Sequence, residues 1–269
     1  MSITLTQGLL LGVFAIIAGL DSWLEVFYIF RPIISCTVTG LILGDLQMGI
    51  IAGGLTELAF AGLTPAGGTQ PPNPAICGIM TVVIAHSTNV SPSTAIGLSL
   101  PFAMLMQYIL LMYYSVFSFF MPKLDQYASE ANTKKFAQIS YLTMGIVCLT
   151  FFLVTFLSAY AAQAPMAALV KAMPVWLIHG FELAGGILPA VGFAMLLKVL
   201  LRVEFMPYLL LGFVVASFIN FDNVLPAAVI GIIFAMIEFF RDKKHKELQA
   251  EIENMKNSDN FFGGDQDGI

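Results

Sequence analysis

Gly53-Gly54-Leu55-Thr56-Glu57-Leu58-Ala59-Phe60-Ala61-Gly62-Leu63-Thr64-Pro65-Ala66-Gly67-Gly68-Thr69-Gln70-Pro71-Pro72-Asn73-Pro74 sets one carboxylate between an apolar run and a segment that cannot stay helical. Five glycines from Gly53 to Gly68 weaken the helix, and four prolines from Pro65 to Pro74 remove backbone donors. From Leu58 to Pro122 the chain has no Asp, Glu, Lys or Arg, so this polar-looking stretch sits in neutral apolar sequence. Non-helical backbone at membrane depth persists only inside protein or along a water-filled cavity. Loop 67–74 is therefore expected to be sheltered from lipid and to line such a cavity.

Composition puts the rest of the chain in a membrane too. Of 269 residues, 58% are hydrophobic and 11% charged, against about 45–50% and about 25% in soluble domains. Twelve of the 29 charged residues fall in residues 241–269, which reads as a solvated tail on a lipid-embedded body. The net charge of −5 gives no basis for nucleic-acid binding. Cys36, Cys77 and Cys148 are scattered through apolar runs, arguing against a disulfide framework or a metal cluster. Residues 1–20 lack the basic start of a signal peptide and are expected to be a retained apolar segment.

Spanning a hydrocarbon core of about 30 Å takes about 20 helical residues. Residues 95–121, 139–163, 183–201, 205–221 and 224–240 are expected spans. Residues 32–44, 48–63 and 75–86 are apolar but short, and are expected to be re-entrant or discontinuous. The fold class is thus an all-α polytopic membrane protein. Lys123, Lys134 and Lys135 mark one basic loop, Lys198 and Arg202 another, and Arg241, Lys243, Lys244 and Lys246 a third. Crossing at the last four spans brings all three to the cytoplasmic side, with only Lys171 opposite. Opposite charges at helical spacing over 241–257 predict a short helical tail with a disordered end.

Charges at bilayer depth cost about 2.5–3.5 kcal/mol even on mild scales, so those present are at helix ends, paired or used. Asp21 and Glu25 read as a helix end balanced by Arg31, and Asp45 as a turn residue. Glu57 has no basic neighbour in sequence. It is either a ligand-binding carboxylate or a carboxylate bonded to amides freed by the broken helix. Gln70 and Asn73 offer donors and acceptors without charge, suited to a neutral polyhydroxylated ligand, or else stabilise their own loop. A second stretch, His179-Gly180-Phe181-Glu182-Leu183-Ala184-Gly185-Gly186-Ile187-Leu188-Pro189-Ala190-Val191-Gly192, repeats Glu-Leu-Ala before glycine and Pro-Ala. Paired Gly/Pro-interrupted segments in two halves of a transporter point to a midplane site between repeats, here about 1–121 and 139–240. His179 is then a proton-relay or sugar contact, or an interfacial histidine. There is no Walker loop, GxSxG, HExxH or zinc spacing, so no cofactor, metal or catalytic residue is assigned.

Arg31-Pro32-Ile33-Ile34, Gly40-Leu41-Ile42-Leu43-Gly44-Asp45, Gly53-Gly54-Leu55-Thr56-Glu57, Gln70-Pro71-Pro72-Asn73-Pro74 and the His179–Gly186 motif together resemble the IIC permease subunit of mannose-family phosphotransferase systems. The resemblance covers about 6–241. It is most like the N-acetylgalactosamine/galactosamine branch, since mannose-type members tend to be less proline-rich after the glutamate motif. It implies a bacterial inner-membrane sugar porter with an internal inverted repeat and re-entrant hairpins, working in an oligomeric complex with an integral IID subunit. Cytoplasmic IIB, recharged by IIA, would phosphorylate the amino sugar or hexose as it emerges. By position, Glu57, Gln70 and Asn73 are carried over as substrate-site residues, with Glu182 and His179 behind them. Residues 1–240 would form one IIC-type domain and 241–269 a cytoplasmic tail. The rival expectation is an ion-coupled secondary transporter in which Glu57 and Glu182 titrate.

Overall fold

The structure, a computed structural model, describes residues 2–63, 70–219 and 225–262. These fall into two compact units, Met1–Leu200 and Leu201–Ile269. Among the described residues there are helices and no strands.

The first unit contains α1 (Leu5–Leu24), α2 (Pro32–Leu43), α3 (Leu46–Phe60), α4 (Pro74–Thr88), α5 (Pro92–Phe117), α6 (Met121–Ser129), α7 (Thr133–Phe156), α8 (Gln163–Ala172) and α9 (Val175–Leu200). Side-chain caps mark many of the starts, as orphan helix amides require. Thr4 and Gln7 form a reciprocal capping box on α1, Asp45 caps α3 through the Met48 N–H, and Ser91 caps α5 through the Thr94 N–H. Proline opens α2, α4 and α5, where its missing N–H costs nothing. Gly44 ends α2 with φ of +80°, a left-handed turn that glycine adopts without a Cβ penalty.

Helices α1, α5–α6, α7 with its π-turn, and α9 are long and apolar enough to cross a membrane. With 12, 15 and 15 residues, α2, α3 and α4 are not. They extend only about 18–22 Å at 1.5 Å per residue. The short segments expected from the sequence are therefore short helices, and α2 and α3 form a hairpin about Gly44–Asp45. Lipid gives little drive for helices to associate, so close approach of small residues holds them. A Cβ on Gly40 would stand 2.7 Å from the Gly49 Cα, and one on Gly49 would stand 2.7 Å from the Cys36 carbonyl. Beside the hairpin, α4 is the helix buried along nearly its whole length. Its thiol and hydroxyls join it to α5, with Cys77 Sγ 3.1 Å and Thr81 Oγ1 2.9 Å from Ser99 Oγ. The outer faces of α1, α5, α7 and α9 expose large apolar side chains, as lipid-facing surfaces do.

The segment 179–192, expected as a broken helix, lies wholly within α9, which runs unbroken through Pro189. Neighbouring residues can re-satisfy the freed carbonyl of a single proline in a membrane helix. Expected span 205–221 corresponds to α10 (Met206–Phe218), only 13 residues long and followed by extended Ile219. In the second unit α10 pairs with α11 (Leu225–Phe262), one 38-residue helix that runs from apolar sequence into the charged tail. The tail helix is thus longer than expected, and Lys243 pairs with Glu247 on it at 4.0 Å. The end expected to be disordered lies outside the described residues from 263 onward.

Candidate functional site

Antiparallel pairing about Gly44–Asp45 sets residues equidistant from that turn against each other. Gly40 meets Gly49, Cys36 meets Gly53, and the start of α2 meets the last turns of α3. Glu57 therefore arrives at the N-terminus of α2. Its Oε1 accepts from Arg31 Nε at 2.7 Å and also from Arg31 Nη2. Its Oε2 accepts from the Ile33 backbone N–H at 3.1 Å, one of the orphan amides of α2's first turn. The carboxylate is thus charge-neutralised by Arg31 and stands at a helix end whose dipole favours it. This corrects the expectation of a carboxylate without a basic partner, and of Arg31 as counter-charge to Asp21 and Glu25. Asp21 is buried and accepts instead from the backbone N–H groups of Phe27 at 2.8 Å and Ile29 at 2.5 Å, pinning the α1–α2 connection.

The pair is not sealed off. The Arg31 and Glu57 side chains keep 29% and 25% of their surface exposed. Both Arg31 donors fall on Oε1, so Oε2, with a single described donor, retains capacity for a ligand hydroxyl. Arg31 in turn has more N–H donors than Glu57 uses.

Asn73 lies at the N-terminus of α4. It is 4% exposed, its Oδ1 accepts from the Ile76 N–H at 3.0 Å, and its own N–H donates to the Ala103 carbonyl of α5 at 3.1 Å. It caps the helix and ties it to α5. Gln70 is half-buried in the approach to that cap, and its backbone carbonyl accepts from Gln107 Nε2. The rest of the expected loop, 67–69, lies outside the described residues. The starts of α2 and α4 are neighbours, because a Cβ on Gly78 would stand 3.4 Å from the Pro32 Cα. So Glu57 and Asn73 sit at adjoining starts of two short helices, with Gln70 three residues before the second. Two helix N-termini in one place bring two positive dipole ends together, although the first-turn amides of Ile33, Ile34, Ser35, Ile76 and Cys77 are already taken up by Glu57, Arg31 and Asn73.

Sequence reasoning missed Arg31 and Gln107. For Arg31 a signal existed, since the Gly44–Asp45 turn with two short flanking helices sets residues near 31 opposite 57. Gln107, on the continuous helix α5, carried none.

Glu182 and His179 are not brought to this place. His179 Nδ1 lies 3.5 Å from Glu182 Oε2, one turn away on α9, with both side chains about half exposed or more. Helix α9 meets α3 near Gly192, where a Cβ would stand 2.6 Å from the Leu58 carbonyl. Glu182 is about 15 Å further along that helix, toward its crossing with α5 at Gly97 and Gly185.

Residues 5–237 match the family model of the phosphotransferase system sorbose-specific IIC component. The chain is 55% identical over 260 residues to N-acetylgalactosamine permease IIC component 1 of Escherichia coli K12, covering 97% of each chain. Among solved structures it is similar to a chain described as a membrane protein, with TM-score 0.76 and 29% identity, covering 88% of this chain and 96% of that one. It is also similar to a chain in a cryo-EM structure of the mannose transporter ManYZ with microcin E492, with TM-score 0.55 and 28% identity, covering 89% and 96%.

Proposed function

The chain belongs to the sorbose-type IIC family of the phosphotransferase system, and on that premise we propose that it carries N-acetylgalactosamine, or galactosamine, through the junction at Glu57. As a IIC component it is a multi-pass membrane permease subunit of that system, a transport subunit and not the phosphoryl-transferring one. Family membership decides against the ion-coupled alternative.

The amino-sugar assignment rests on the near-full-length likeness to the N-acetylgalactosamine permease. Placing the sugar at Glu57 rests on one observation: a partly exposed carboxylate with a spare acceptor, beside an arginine with spare donors, where two short helices begin. Sugar hydroxyls donate to Glu57 Oε2, and Arg31 donates to hydroxyl or acetamide oxygens. Gln70 adds one donor and one acceptor, and Asn73 holds the start of α4 in position. Glu182 and His179 serve as a secondary polar pair reached from a different surface. Residues 1–240 act as one domain with an internal repeat, alongside an integral IID subunit and the soluble IIB and IIA carriers. IIB supplies the phosphoryl group to the emerging sugar.

The test is uptake of radiolabelled N-acetylgalactosamine, galactosamine, mannose and sorbose in cells with and without IIB. Amino-sugar phosphate inside, only when IIB is present, is the expected result. Free sugar accumulating without IIB, or a preference for mannose or sorbose, overturns the assignment.

A further inference from the structure

Away from Glu57, the first unit holds a two-part recess where α1, the α5–α6 junction and α7 meet. Its inner part is a cavity of about 220 Å³ with largely apolar walls that include Leu20, Trp23, Phe117, Met144 and Val147. Its outer part, about 280 Å³, is lined by Phe120, Lys123, Tyr127, Lys135, Gln138 and Ile139. Phe120 borders both, and Ile139 of the outer part is followed on α7 by Ser140 of the inner, so the two adjoin. Lys135 lies over the Tyr127 ring, its Nζ 5.3 Å from the centroid. The nearby carboxylates of Asp125 and Glu130 do not line the outer part, and Glu130 accepts from Gln126 Nε2 at 2.8 Å.

The depth of this recess follows from sequence. Residues 58–122 and 136–170 carry no charged side chain, so 123–135 is the polar strip between two long apolar helices and lies at a membrane–water interface. Trp23, which lines the inner part, and Tyr114 have ring centroids 6.0 Å apart, as in the aromatic belts that border such an interface. The outer part is therefore at headgroup height and the inner part at acyl-chain height.

We propose that this recess is a binding site for an anionic phospholipid, with the headgroup phosphate between Lys123 and Lys135 and the start of an acyl chain in the cavity beneath. Charge complementarity selects the headgroup, since two ammonium groups face the mouth and no carboxylate does. Gln138 and the Tyr127 hydroxyl add neutral hydrogen bonds to phosphate or glycerol oxygens. The apolar cavity selects the tail. A soluble phosphate or an acidic protein surface would use the lysines and leave the inner walls unfilled. The site shares no residue with the Glu57 junction, so its success or failure is independent of the sugar assignment.

The full chain, purified in mild detergent and titrated with phosphatidylglycerol or phosphatidylcholine, is read by native mass spectrometry. Wild type retains phosphatidylglycerol in preference to phosphatidylcholine. Lys123→Gln with Lys135→Gln lowers that retention about tenfold, while Lys123→Arg with Lys135→Arg keeps it. Thr143→Phe, which fills the inner cavity, lowers retention with both lysines intact, and Lys243→Gln with Lys244→Gln on the tail has no effect. Equal retention of both lipids by wild type, or unchanged retention in the double Gln variant, overturns the proposal. So does displacement of bound lipid by soluble glycerol phosphate at equal concentration, which would mark a free-phosphate site. Loss of an acidic soluble partner with lipid retention unchanged would make the lysines a protein-docking patch and overturn it equally.

Discussion

Glu57 and Glu182 both open a Glu-Leu-Ala sequence that runs on to glycine and Pro-Ala, yet the fold gives them opposite surroundings. Glu57 lies in the second helix of a hairpin that turns at Gly44–Asp45, so the carboxylate meets a guanidinium 26 positions earlier and a helix-end amide. Around Glu182 the helix does not break. One proline in a 26-residue helix is absorbed, and the carboxylate is left beside its own neighbour His179 on an exposed face. Helix α3 stops at Phe60 and α4 starts at Pro74, whereas α9 absorbs Pro189, and it is a helix end that offers a backbone donor to Glu57.

Substitutions at four positions test that contrast. Glu57→Gln should lower amino-sugar uptake about ten- to hundredfold, the value of a hydrogen bond to a charged group. Membrane insertion and co-purification with the partner subunit should be unchanged, and wild-type uptake would reduce the Arg31 pair to a structural link. Arg31→Gln should destabilise the purified protein by about 2 kcal/mol, read as a lower melting temperature. That figure lies between the small value of an exposed pair and the larger one of a buried pair, because both side chains are about a quarter exposed. No change would mean that the α2 dipole alone holds the carboxylate. Asn73→Ala should lower stability by about 1 kcal/mol through loss of the α4 cap, with Asn73→Asp close to wild type. Equal losses in both would place the Asn73 amide nitrogen, rather than its oxygen, in the critical role. Glu182→Gln should move stability by less than about 0.5 kcal/mol, as surface substitutions do, and uptake by less than about twofold, near 0.4 kcal/mol. A loss as deep as that of Glu57→Gln would erase the contrast.

Much of this was legible in the sequence. Short apolar runs flanked by Gly and Pro became short helices, and Asp45 became the cap at the hairpin turn. Chain breaks are local, written in residues that cannot be helical, and so can be read one window at a time. Arg31 with Glu57 is a tertiary pairing, hidden until α2 and α3 are folded about Gly44. The persistence of α9 through Pro189 was also obscured, because it depends on what packs beside the proline. The length of α10 depends on where Ile219 leaves the helix, which apolar composition does not mark.

The Arg31–Glu57 pair also has an electrical meaning. Moving an isolated carboxylate through the full transmembrane voltage involves about 2.3 kcal/mol per 100 mV. At this end of the hairpin the two formal charges cancel, so moving the pair together would do almost no work against the membrane potential. On the proposed sugar route, the pair itself would then add no voltage dependence to the passage of an uncharged sugar.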